Sequence, residues 1–233
     1  MVAILPYKIG LICRDAMLPL IYLGDFKCQP DEALCIIRSF KCIPHGRRRK
    51  EAVHHWLKGT LAARLQLPED EIDFARTHTG KPWLPKNSWL NFNLSHSGSL
   101  AVIALSARGA VGVDIEKVPG SSEVKQRIAA RFFHRDEVAW LSQRTDDYLL
   151  HFTTIWSLKE AWLKMSGVGL TQSLSSFCVI PGKGSKANVY GREGQPLGVM
   201  GYRLLQGDEP YCLAYAIDED NNNPPVRWRV IEQ

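Results

Sequence analysis

The chain has 233 residues, 45% of them hydrophobic and 23% charged, with a net charge of +5. This is the balance of a soluble globular protein, long enough for one large domain or two of about 100–120 residues. The mild positive charge favours acidic partners such as phosphates, nucleotides or an acidic protein surface, and is too small to establish nucleic-acid binding. No apolar run is long enough to span a membrane.

The N-terminal apolar patches are interrupted by Lys8 and Arg14 and follow no basic segment, which speaks against a signal peptide. Residues 1–24 read as short strands broken by Pro6, Gly10 and Pro19. Residues 31–42 read as an amphipathic helix, with Leu34, Ile37 and Phe40 or Ile43 turned inward. The densest charge run, Arg47-Arg48-Arg49-Lys50, follows. It fits either a solvated helix start or a contact to phosphate or an acidic partner. A helix is expected over 51–65, with Val53, Trp56 or Leu57, Leu61 and Leu65 as its apolar stripe, stopped at Leu67-Pro68-Glu69-Asp70.

Thr79-Gly80-Lys81-Pro82 is a turn in which Gly80 permits an unusual backbone and Pro82 fixes the next φ. Its lysine is an ordinary exposed side chain or one held ready for an anion. Leu90–Leu94 reads as a strand running into Asn93-Leu94-Ser95-His96-Ser97-Gly98. Ser and His hydrogen-bond phosphate oxygens and Gly lets backbone approach, although a lone Ser-His pair is more often structural. No G-x-S-x-G elbow is present. Leu100–Leu105 and Val111–Glu116 are the next strands. Along the latter, Val111, Val113 and Ile115 share one face and Gly112, Asp114 and Glu116 the other, the two carboxylates about 7 Å apart at Cα. Side by side they repel unless a cation or a shared proton compensates them, and hard oxygens suit Mg²⁺. Taken alone, a D-x-E of this kind is a solvated strand face. The run over 90–116 delivers His96 and both acids to one sheet.

Helices are expected over 123–133, from His134-Arg135-Asp136-Glu137 onward with Val138 and Leu141 inward, and over 147–166. The last has Phe152, Ile155, Trp156, Leu158, Trp162 and Leu163 as core candidates and ends at Gly167 and Gly169. Glu160 and Lys164 form an i, i+4 pair on it, worth about 0.3–0.5 kcal/mol if merely on the surface. Strands are expected over 177–180, 187–190, 199–205, 211–217 and 226–231, with a turn at Asn221-Asn222-Asn223-Pro224-Pro225. A boundary near residue 110 divides the chain into 1–110 and 111–233.

The six cysteines, Cys13, Cys28, Cys35, Cys42, Cys178 and Cys212, contain no C-x-x-C pair, and no histidine pattern completes a zinc site. Cys28, Cys35 and Cys42 recur every seven residues, a spacing that places some of them on one helix face. All read as small buried hydrophobes whose unpaired thiols suit a reducing cytoplasm.

Four segments stand in one order: Gly80-Lys81-Pro82; Phe92-Asn93-Leu94-Ser95-His96-Ser97-Gly98; Gly112-Val113-Asp114-Ile115-Glu116; and Trp156-Ser157-Leu158-Lys159-Glu160-Ala161-Trp162-Leu163-Lys164 with Gly167-Val168-Gly169-Leu170. Each is weak by itself; all four in order resemble the 4′-phosphopantetheinyl transferases of the larger, monomeric, pseudo-dimeric kind, the surfactin-synthetase-associated type. The resemblance implies an α+β fold of two similar halves related by a pseudo-twofold axis, with coenzyme A between them. It implies transfer of the 4′-phosphopantetheine arm to a serine of an apo acyl or peptidyl carrier protein, with adenosine 3′,5′-bisphosphate leaving. By position, Asp114, Glu116 and Glu160 match the ligands of Mg²⁺, or of Mn²⁺ in its place, and Glu160 also matches the general base. Lys164 matches a pyrophosphate contact that helps the leaving group. Lys81, Ser95 and His96 match coenzyme A contacts, with His96 near the 3′-phosphate. Where the family often carries a phosphate-binding arginine this chain has His54 and His55, with Arg47 and Arg48 upstream as the nearest candidates. The resemblance further implies a cytoplasmic monomer with no nucleic-acid or membrane partner. A Mg²⁺-dependent phosphohydrolase or nuclease is the alternative, lacking a further cluster of acids. A non-catalytic binding module is the third reading, against which Glu160 and Lys164 argue.

Overall fold

The computed structural model describes residues 32–121, 123–218 and 227–232. The strands expected over 1–24, the turn at 221–225, Cys13 and Cys28 lie outside the described residues.

From β1 (Glu32–Ser39) the chain runs into α1 (Arg47–Leu65), a small hairpin of β2 (Ala75–Arg76) and β3 (Pro82–Trp83), then β4 (Asn91–Ser97) and β5 (Leu100–Ser106). Next come β6 (Val111–Lys117), α2 (Glu123–Phe132), α3 (Arg135–Ser142) and α4 (Tyr148–Ser166). The chain ends with β7 (Phe177–Pro181), β8 (Lys186–Gly191), β9 (Pro196–Leu205), β10 (Tyr211–Ile217) and β11 (Arg227–Glu232). One sheet has the order β11-β1-β5-β4 and the other β6-β10-β9-β8-β7. In both, the opening strand of the half pairs antiparallel with its last strand, which pairs antiparallel with the strand before it: β1-β5-β4 and β6-β10-β9. A long helix follows each opening strand, at once in the first half and after two shorter helices in the second. The fold is α+β, and this repeated connectivity is what two similar halves require. Beyond this shared order, β8 and β7 extend the second sheet, and β11 crosses back to pair parallel with β1.

Strand alternation sets the layers. Leu34 and Ile36 of β1 and Ala101, Ile103 and Leu105 of β5 pack under Val53, Trp56, Leu57 and Leu61 of α1. The intervening residues Ala33, Cys35, Ile37, Val102 and Ala104 pack on Val111, Val113, Ile115 and Leu213 of the second sheet. The far face of that sheet, through Ala214 and Ala216, meets Leu158 and Ala161 of α4. The order is helix, sheet, sheet, helix. A β6 residue on the Val111 side therefore enters the inter-sheet core, and one on the Asp114 side faces α4.

Two expectations are corrected. Residues 32–39 form a strand, not part of a helix over 31–42. Ala33 to Ile37 are all buried because β1 is covered on both faces, so no alternation marks it, and a short apolar run buried on every side is ambiguous between helix and strand. The cysteines do not behave as one class either. Cys35, Cys178 and Cys212 are free and buried, but Cys42 is exposed and disulfide-bonded.

α1 begins at Arg47, so the basic run forms its first turn rather than preceding it. Arg and Lys are good helix formers, and Gly46, at φ 112°, breaks the chain direction just before them. Among the described residues no helix is long and apolar enough to cross a membrane.

Candidate active site between the two halves

His96 and the two acids do not share one sheet as expected: β4 and β6 are edge strands of different sheets, and side chains join them. Asn93, Ser95 and Ser97 alternate along one face of β4 and all reach β6. Asn93 Oδ1 accepts from the Val113 amide at 3.0 Å and Ser97 Oγ from the Lys117 amide at 3.1 Å, satisfying two donors that an edge strand otherwise leaves open. The Ser95 hydroxyl donates to Asp114 Oδ1 at 2.8 Å, and the Ser97 hydroxyl to Glu116 Oε2 at 2.8 Å. His96, of opposite parity, points to the α1 side of β4.

α4 lies directly on β6 at Gly112. A Cβ there would overlap the Ala161 carbonyl oxygen and the Met165 amide nitrogen, so only glycine allows helix and strand backbones to touch. That contact brings Glu160 and Lys164 to the acid-bearing face of β6. Lys164 Nζ donates to Asp114 Oδ1 at 2.6 Å and to Ser95 Oγ at 3.0 Å. The expected pairing with Glu160 along the helix gives way to one across to the strand. Asp114 is buried, and its Oδ2 has no hydrogen-bond partner among the described residues, a costly state for a carboxylate oxygen. Burial, and then Asp114, hold the Glu160 and Glu116 carboxyls above the usual range; Glu116 also feels Glu160. The three acids share one field, although their oxygens do not all come within 4.8 Å of one another, as mutual repulsion dictates. An all-carboxylate donor set with one orphaned buried oxygen fits a hard divalent cation such as Mg²⁺. His134, Asp136 and Cys178 do offer ligand atoms within 4.8 Å. There, however, His134 Nδ1 accepts from the Asp136 amide at 3.3 Å as the cap of α3, and burial pushes the Cys178 thiol up to about 12.

Lys81 is spent partly on structure. Its Nζ donates to the Met165 carbonyl at 2.9 Å and the Val111 carbonyl at 3.2 Å, while the Thr79 hydroxyl donates to the Gly167 carbonyl. The Gly80 turn thereby closes the C-terminal end of α4, whose carbonyls attract cations. Burial brings the Lys81 ammonium down to about 8. The same lysine lines a cleft of about 330 Å³ between the halves, with Thr77, His78, Trp83, Asn91 and Ser166.

A smaller pocket at the start of α1 is lined by His45, Gly46, Arg49, Lys50, His96 and Ser99. Arg49 braces it, donating to the Gly98 carbonyl at 2.6 Å and to the Ile43 carbonyl at 2.9 Å. Burial first, then the charges of Lys50, His54, Lys164 and His45, lower the His96 pKa. The first turn of α1 carries no acid and no side-chain cap, so the basic run sits at the positive end of the helix dipole, where an anion is favoured. Arg47 and Arg48 are exposed and do not line this pocket, and Arg47 pairs with Glu51 at 2.7 Å.

The residues missed in the sequence are Arg49 and Lys50 within the basic run, Ser97 beneath Glu116, and a fully buried ion pair between Glu137 and Lys159. His134-x-x-Glu137 has the spacing of a capping box, a faint signal for the pair's acid. Nothing local marks Lys159.

Two family models match, each described by this chemistry. The 4′-phosphopantetheinyl transferase superfamily model matches residues 110–216, and the 4′-phosphopantetheinyl transferase N-terminal model matches residues 37–108. An α+β protein with one such match on each half belongs to the 4′-phosphopantetheinyl transferase superfamily. Among its relatives is the 4′-phosphopantetheinyl transferase Sfp of Bacillus subtilis, 34% identical over 137 residues covering 56% of this chain and 59% of that protein. The L-aminoadipate-semialdehyde dehydrogenase-phosphopantetheinyl transferase of Xenopus laevis is 38% identical over 49% of this chain and 41% of its own length. A phosphopantetheinyl transferase of Thraustochytrium is 28% identical over 78% of this chain and 69% of its own length. The match to Sfp thus spans about three fifths of that relative.

Proposed function

We propose that the protein transfers the 4′-phosphopantetheine arm of coenzyme A to a serine of an apo acyl or peptidyl carrier protein, releasing adenosine 3′,5′-bisphosphate. The observation that carries this reading is the buried Asp114, one oxygen on Lys164 and the other orphaned, in a common field with Glu116 and Glu160. Asp114, Glu116 and Glu160 would hold Mg²⁺ or Mn²⁺, which when bound offsets the charge of a pyrophosphate. Glu160, with its raised pKa, accepts the proton of the carrier serine. The serine oxygen then bonds to the phosphorus that carries pantetheine, and the bond to the second phosphate breaks. Lys164, beside Asp114 and Ser95, meets the charge that builds on the leaving phosphate. Ser95 contacts the same group, and Lys81 faces coenzyme A from the cleft.

Within the basic run, Lys50 contacts the 3′-phosphate together with His96, while Arg47 and Arg48 add positive potential around the pocket. The division into 1–110 and 111–233 is supported by the repeated connectivity on either side of residue 110. α2 carries Lys125, Arg127 and Arg131 beside exposed Val124 and Phe132, a surface suited to an acidic helical carrier.

The direct test incubates the enzyme, Mg²⁺ and coenzyme A with apo-carrier proteins and weighs the carriers by mass spectrometry. A gain of one phosphopantetheine arm is expected; coenzyme A cleaved with no arm on the carrier would favour a phosphohydrolase. For His96→Ala, affinity for coenzyme A should fall about tenfold, the scale of one lost charge-assisted hydrogen bond, and affinity for 3′-dephospho-coenzyme A should change little. Equal losses by calorimetry would remove His96 from the 3′-phosphate.

Lys81 predicts a pH effect. Its folded pKa of about 8 lies below the usual 10.5, so it gives up its proton in the native state before it would in the unfolded chain. Its contribution to stability therefore rises between these values, while its attraction for an anion fades. The KM for coenzyme A should climb above about pH 8, and Lys81→Met should have a higher KM that lacks this component. A parent KM that stays flat through pH 9 would show that Lys81 does not face the substrate.

A further inference from the structure

We infer that the buried ion pair of Glu137 and Lys159 is a positioning device for Glu160, fixing the rotation of α4 so that its acid faces Asp114 and Glu116; this rests on the transferase reading above.

Both side chains are completely buried, and Lys159 Nζ donates to Glu137 Oε1 at 2.6 Å. The pair is fully bonded. Lys159 Nζ also donates to the Phe177 carbonyl at 2.7 Å and stands 4.1 Å from the centre of the Phe177 ring. Glu137 Oε1 accepts from the Val179 amide at 2.7 Å, and its Oε2 from the His134 amide at 2.8 Å. One side chain of α4 is thus tied to the N-terminal turn of α3 and to the start of β7, two elements that do not touch the acids. Burial opposes both charges, pushing the Glu137 carboxyl up and the Lys159 ammonium down, and their mutual attraction offsets this.

Stability alone is a poor reason for such a pair, since well-packed apolar residues in its place are often neutral or stabilising. What an ion pair adds is direction. The last turn of α4 is tied by Lys164 to Asp114 and Ser95 and by the Met165 carbonyl to Lys81, whereas the apolar contacts of the preceding turns and the Gly112 contact do not resist a small rotation. Successive helix residues are about 100° apart, so Lys159, gripped on the α3 and β7 side, sets where its neighbour Glu160 points. A helix with its side chains is about 10–12 Å across, so a turn of 10° moves a side-chain tip by about 1 Å. An error of that size costs on the order of 100-fold in a catalytic step.

The test compares the parent protein with Lys159→Met/Glu137→Leu, which removes both charges together, and with Glu137→Gln, which keeps the lysine and one acceptor. Three quantities are read: the melting temperature, Mn²⁺ affinity by calorimetry without carrier, and kcat and KM for coenzyme A. The expected result is a double variant that melts within a few degrees of the parent, binds Mn²⁺ about tenfold more weakly, and loses on the order of 100-fold in kcat with KM for coenzyme A within about twofold. Glu137→Gln should show smaller losses of the same kind. A double variant that melts, binds Mn²⁺ and turns over like the parent would overturn the inference. If the double variant does not fold, Glu137→Gln decides alone: a lowered melting temperature with unchanged Mn²⁺ affinity and kcat would make the pair only a structural staple. A parent that neither binds Mn²⁺ nor modifies a carrier would instead refute the transferase reading.

Discussion

Glu160→Gln should leave an enzyme that binds coenzyme A but transfers almost nothing. The substitution keeps size and hydrogen-bonding reach and removes two properties at once: a proton acceptor with a raised pKa and one of the candidate metal ligands. Loss of a general base alone costs about 100- to 10,000-fold, and loss of an anionic ligand weakens the cation that neutralises the pyrophosphate. A fall in kcat of at least about 1,000-fold is expected, with coenzyme A affinity within about threefold by calorimetry in the absence of divalent metal. The variant should fold at least as well as the parent, because it removes one of the carboxylates that repel one another at the site. Unchanged turnover at saturating Mg²⁺ would remove Glu160 from both roles.

Gly112→Ala should do comparable damage without touching a charged group. A single methyl at this position runs into the backbone of α4 at Ala161 and Met165, and backbone has no rotamer to escape into. Overpacking of this kind costs about 1–3 kcal/mol, and more where backbone must move. For a chain of this length, about 3 kcal/mol lowers the melting temperature by roughly 6–12 °C. The helix can relieve the overlap only by lifting from β6, which carries Glu160 and Lys164 away from Asp114. Mn²⁺ binding and transfer should therefore fall with stability, and lowering the assay temperature should not restore them. A Gly112→Ala protein that melts and turns over like the parent would mean that α4 does not seat on β6 at this residue.

Much of the architecture was written in local pattern. The strands from β4 to β6 alternate or run apolar between Gly-rich turns, and α4 has helical spacing closed by Gly167, so both could be placed from the chain alone. β1 could not, because both its faces are covered, by α1 and by the second sheet. The basic run was visible, but which of its members line a pocket depends on the turn at which α1 begins. A one-residue change in that start swings each side chain by about 100°. Glu160 and Lys164 looked like partners on one helix face; the strand beneath them offered Lys164 a buried carboxylate, which holds a cation more strongly than an exposed neighbour one turn away.

By itself, the sequence determined most of the strands and helices through short-range periodicity and the residue types at the centre through motifs whose members are close in the chain, and the resemblance carried by those motifs implied the α+β class with two similar halves. Only the tertiary structure decided that Ser95 and Ser97 reach the acids across two sheet edges, that Lys164 takes Asp114 rather than Glu160, and that Lys159 is buried against Glu137. Those choices depend on which surfaces exclude water from which charges, and desolvation is a property of the packed chain that no local spacing encodes.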